Sequence, residues 1–92
     1  MNVIELLDKA KKNAGIETDY ALAQRIGASR SMVSHWRKEI SAPEAEGAMK
    51  LAVLAGEEPL RALAICEFAK TRKPEKMDFW RRVANENNWR KW

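Results

Sequence analysis

Apolar residues recur at helical spacing along most of the chain, and long alternating Val, Ile and Thr runs are absent. Val3, Ile4, Leu7, Ala10 and Ala14 make the first stripe and predict a helix over about Val3–Ala14. Asn2 is placed to cap it, Glu5 follows three residues later in a weak capping box, and Gly15 closes it. Leu22, Ala23 and Ile26 predict a second helix over about Asp19–Ile26, with Thr18 as its cap. After Gly27, Ser29 can cap a third helix from Arg30 to about Lys38, with Val33 and Trp36 facing inward. Pro43 or Glu44 is expected to open the fourth helix, with Ser41 the better capping residue before it. Ala45, Ala48, Met49, Ala52 and Val53 form its stripe, Leu51 and Leu54 lie close beside, and Gly56 ends it. A fifth helix, about Pro59–Arg72, is apolar almost all round, which predicts burial on two sides as a central helix or as a dimer contact. Pro74 can open a sixth, about Glu75–Asn85, with Phe79, Trp80 and Val83 on one face and Arg81 and Arg82 on another. Asn85, Asn87 and Asn88 are weak helix formers, so order is expected to fade there.

Composition agrees. Ninety-two residues make one domain, and a hydrophobic content of 46% excludes a mainly disordered chain. Ala, Glu, Lys, Arg and Leu dominate. The expected fold is all-α, a five- or six-helix bundle whose residues 57–92 form a helical extension. No apolar run approaches the ~20 residues that span a bilayer, and the acid-containing N-terminus is no signal peptide. A single cysteine allows no internal disulfide, so a cytoplasmic protein without membrane attachment is expected.

The net charge of +4 is unevenly placed. Residues 1–69 hold nine Lys or Arg against ten Asp or Glu, whereas residues 70–92 hold eight against three. A basic face for a nucleic-acid partner must therefore come from local clustering, from the tail, or from both.

The stretch Asp19–Lys38, DYALAQRIGASRSMVSHWRK, carries the most specific pattern. Ala23, Gly27, Val33 and Trp36 stand at the spacing of two short helices joined by a tight turn, and Leu22 and Ile26 complete the set. This resembles the helix-turn-helix of the lambda-repressor/Cro family. The resemblance is strong over about twenty residues and loose over roughly the first fifty-five. It implies a lambda-repressor-like core at 1–56 and a scaffold of Leu22, Ala23, Ile26, Gly27, Val33 and Trp36. Its second helix would enter the major groove of double-stranded DNA. With Val33 and Trp36 inward, the outward arc is Arg30, Ser31, Ser34, His35, Arg37 and Lys38. Arg30 can bond O6 and N7 of a guanine, and Ser31, Ser34 and His35 can reach a base or a phosphate. Arg37 and Lys38, further along, are expected on phosphates. One departure stands out. The family often opens its second helix with a phosphate-binding Gln, but Asp19 occupies that position and would repel phosphate. Tyr20 can supply a phosphate contact instead, or pack on the first helix.

Lys9, Lys11 and Lys12 complement the dipole of the first helix or reach phosphate. Trp80, Trp89 and Trp92, interleaved with Arg81, Arg82, Arg90 and Lys91, can pack on the body, join a partner subunit, or follow nucleic acid. Nothing catalytic is expected. His35 and Cys66 are alone of their kind, below the three or four ligands zinc needs, and no phosphate loop is present. No metal, cofactor or small-molecule substrate is expected. The expectation is a small sequence-specific regulator of Cro or repressor type, homodimeric through its fifth and sixth helices and of phage or mobile-element character. The rival is a helix-turn-helix scaffold that binds another protein.

Overall fold

A computed structural model describes residues 1–89. Among these the chain forms six α-helices: α1 (Val3–Ala14), α2 (Asp19–Ile26), α3 (Arg30–Arg37), α4 (Ala45–Ala55), α5 (Pro59–Lys70) and α6 (Pro74–Glu86). Arg90, Lys91 and Trp92, which belong to the basic tail read from the sequence, lie outside the described residues. No described helix is long and apolar enough to cross a membrane.

The first three helices start where a short polar side chain can take up an orphan amide. Asn2 Oδ1 accepts from the Glu5 N–H at 2.8 Å, Thr18 Oγ1 from Ala21 at 3.1 Å, and Ser29 Oγ from Met32 at 3.0 Å. α4 departs from expectation. It starts at Ala45 with Glu44 as its cap residue, and neither Ser41 nor Glu44 makes a side-chain cap bond. The Glu44 carboxylate instead receives Lys70 Nζ at 2.9 Å, which ties the start of α4 to the end of α5.

α1 and α4 make the most extensive contact, α2 and α3 attach to this pair, and α5 packs on α4 and α1 with α6 against it. Leu6, Leu7, Leu22, Val33, Leu51, Pro43 and Cys66 are fully buried. Two stripes are rotated from the sequence reading. On α1, Leu6 is buried and Ile4 only half so, because the face toward α4 runs through Val3, Leu6, Leu7 and Ala10. On α4 the buried residues are Ala48, Leu51, Ala52 and Ala55, while Val53 is 78% exposed. At about 100° per residue the true face is turned by roughly 80° from the expected one. The cause is that α4 serves both α1 and α5, and the small residues on its flank could not by themselves mark which side was shared.

α5 packs centrally, in contact with α4, α1 and α6. Ala62, Ala64, Ile65 and Cys66 are buried, with α4 and α1 on one side and α6 on the other. Leu63 and Phe68 on the same helix are half-buried, and Leu60 is 40% exposed. Burial pushes the Cys66 thiol up to about 12, as expected for a small apolar filler rather than a reactive group.

Candidate nucleic-acid interface

The Gly27–Ser29 turn sets the angle between α2 and α3. Gly27 has φ 71°, and the Ala28 N–H returns to the Ala23 carbonyl at 2.9 Å. A Cβ there would meet only the tip of Lys50 at 3.7 Å, so the demand for glycine comes from the left-handed backbone and not from space. Lys50 Nζ in turn donates to the Ile26 carbonyl at 3.2 Å, a cation on the carbonyl end of α2.

Of the scaffold residues, Gly27 is exposed at the turn and the other five lie in the interior. Leu22, Ala23, Ile26, Val33 and Trp36 are each 5% exposed or less. Trp36 packs beside Gly47 of α4. A Cβ on Gly47 would stand 3.9 Å from Trp36 Cη2 and 3.4 Å from Pro43 Cβ. Burying the back of α3 leaves its opposite face open: Arg30, Ser31, His35 and Lys38 are exposed and Ser34 half-buried. Met32, 46% exposed, joins this face. Sequence reasoning missed it, since an apolar residue beside Val33 gave no sign of pointing outward. Its only signal is that Met32 lies about 70° round the helix from the midpoint of Val33 and Trp36.

The Tyr20 ring lies at the surface, at the start of α2. It is 53% exposed, accepts a hydrogen bond from Gln24 Nε2 at 3.1 Å, and lies under the Arg30 guanidinium, 5.4 Å from its ring centroid. The cation–π contact links the starts of α2 and α3 and directs Arg30. Tyr20, Arg30, Ser34 and Lys38 line an open crevice of about 560 Å³ whose inner wall includes Asp19 and Arg37.

Arg37 stands apart from the other cations of this face. Its Nε and Nη2 donate to Asp19 at 3.0 and 2.9 Å, and its Nη1 donates to Asp8 at 2.6 Å. Lys11 Nζ reaches Asp19 Oδ1 at 3.0 Å. The forked bond from Arg37, aided by Lys11, holds the Asp19 carboxyl below its ordinary range. The same bond, with that to Asp8, raises Arg37. The network fastens α1, α2 and α3 together and occupies the donors expected on phosphate. On α1, Lys9 pairs with Glu57 at 2.7 Å and Lys11 with Asp19, so two of the three lysines there join elements of the body. Desolvation opposes ionisation of Glu57, but the bonds from Lys9 and the Glu58 N–H outweigh it and leave the group lowered.

In the tail, Trp80 and Trp89 are half-buried, and Trp80 meets Phe79 edge to face at 4.9 Å. Phe79, expected on the same packed face, is 48% exposed. Among the described residues no three His, Cys, Asp or Glu side chains converge as a metal site requires. Comparison with protein-family models, curated proteins and solved structures finds no match for this chain.

Proposed function

We propose that this chain is a sequence-specific double-stranded-DNA-binding regulator of the lambda-repressor/Cro type, working as a two-fold dimer. The observation that carries the reading is the outward face of α3. Arg30, Ser31, Ser34 and His35 project from a short helix whose other side is locked by Val33 and Trp36. An α-helix fits the major groove, and its first turns meet base edges. Arg30, steered by Tyr20, has the geometry to read a guanine, and Lys38 and the Tyr20 hydroxyl flank it as phosphate contacts. Met32 adds an apolar surface suited to a thymine methyl. Arg37 takes a supporting role, holding α3 against α1 and α2.

The competing reading is a protein-interaction module on the same scaffold. It draws on Arg37 being neutralised by Asp19 and Asp8, which leaves the face less basic than its residue types promise. Binding to random genomic DNA fragments at two salt concentrations separates them. A regulator retains selected sequences and loses affinity steeply with salt. No DNA binding at low salt would rule for the interaction module.

A further inference from the structure

α6 carries a stripe that the other described residues leave partly open. Its inner face, around Trp80 and Ala84, rests on α5, and the Arg81 guanidinium lies over Phe68 at 5.5 Å. Lys76, Phe79, Val83 and Glu86 fall on a different side, at successive spacings of three, four and three residues. That is the spacing of a coiled-coil seam, and the four side chains share an arc of about 80°. Phe79 is 48% exposed, Val83 half-buried, and Lys76 and Glu86 are exposed at the two ends. Neither the Lys76 nor the Glu86 side chain has a hydrogen-bond or ion-pair partner among the described residues.

The order of charges along the stripe selects its partner. A basic residue at the N-terminal end and an acidic one at the C-terminal end make the stripe complementary to itself when reversed. We propose that α6 pairs antiparallel with α6 of a second copy of this chain. Phe79 then packs on the partner's Val83, Val83 on the partner's Phe79, and each Lys76 faces the partner's Glu86. A parallel pair would oppose Lys76 to Lys76 and Glu86 to Glu86, so the charges exclude that arrangement. The seam is isologous, as a two-fold dimer requires, and the main contact of α6 within the chain is with α5 rather than with α2 or α3. This deepens the dimer part of the proposed function and does not depend on DNA being bound.

The seam is short. The four residues span roughly 15 Å of helix, less than the ~1,200 Å² of buried surface found in stable interfaces demands. The free protein is therefore expected to dimerise weakly, with a Kd above about 1 µM.

Charge exchange tests the register. Sedimentation equilibrium of the full chain is run from about 10 µM to 1 mM at low salt, with circular dichroism to confirm that each variant is folded. Lys76→Glu and Glu86→Lys each turn two attractive pairs into two repulsive ones and should weaken dimerisation about tenfold. The double variant restores both pairs and should return to within about threefold of the original protein. Phe79→Asp should abolish the dimer. A double variant as weak as the singles, or a dimer indifferent to Phe79→Asp, overturns the seam while leaving a dimer through another surface. A chain that stays monomeric at 1 mM overturns the seam and removes the dimer from the proposed function too.

Discussion

Replacing Asp19 with Asn separates what this residue does for the fold from what it does to the binding face. Its carboxylate accepts three charge-assisted bonds, two from Arg37 and one from Lys11, between 2.9 and 3.0 Å. Buried bonds of this kind contribute about 1.5–3 kcal/mol each, but the Asp19 side chain is 39% exposed. Solvent screening brings such pairs toward the ~0–1 kcal/mol of surface ion pairs. A loss of about 1–2 kcal/mol for the whole cluster is expected, which lowers the Tm by roughly 4–15 °C in a domain of this size. The pH dependence has a defined sign. The folded-state pKa of Asp19 lies below its ordinary value of 3.8. Its contribution is therefore complete above that value and fades as pH falls through the depressed one. Asp19→Asn should be less stable than the original protein at pH 7, and the difference should shrink toward pH 2. Binding should move the other way. The substitution removes a negative charge and frees Arg37 from its fork, so DNA affinity should rise and the salt slope steepen by about 0.9 for one added phosphate contact. Thermal melts across pH and fluorescence anisotropy against salt read the two effects. Unchanged stability at pH 7 would refute the network's structural role. Weaker DNA binding with an unchanged slope would refute the idea that Asp19 withholds Arg37 from DNA.

Three further expectations follow from single side chains. Gly47→Ala should raise stability by up to about 1 kcal/mol in chemical denaturation, since the helix gains propensity and the new Cβ meets Pro43 at an ordinary 3.4 Å. Cys66, fully buried and with its thiol pushed up to about 12, should react with a thiol reagent only as the chain unfolds, so its labelling rate should track denaturant. Arg30→Ala should relax base preference, with a loss of about 1–3 kcal/mol at one position of the site, while Lys38→Ala should weaken all sequences alike. Equal effects of the two in a competition assay against altered sites would undo the division between reading and positioning.

The local signals for helix starts and stops were legible because they are covalently near what they control. Asn2, Thr18 and Ser29 cap amides three residues on, and Gly15, Gly27 and Gly56 take left-handed backbone at helix ends. The pairing of Val33 and Trp36 likewise survives, because a bulky apolar pair at i, i+3 leaves little choice of face. What failed is whatever depends on a distant partner. Leu6 and Ile4 are equally apolar, and only the position of α4 decides between them. Ala-rich α4 spreads apolar residues widely around its circumference, so its own pattern cannot say that Val53 faces out. Arg37 looked like any exposed cation of the third helix. Asp8 and Asp19, which hold it, are 29 and 18 residues away in the chain. The charge of Asp19 alone makes it unsuited to phosphate, but its use as the anchor of Arg37 depends on α1, α2 and α3 lying side by side.

Selection of bound sites from a random double-stranded DNA library should return a short two-fold symmetric site with half-site centres about one helical turn, roughly 34 Å, apart. The site should carry a guanine whose selection disappears in Arg30→Ala. Recovery of no enriched sequence at low salt, or of one whose strongest position is indifferent to Arg30, would contradict the reading of α3 as a DNA-recognition helix.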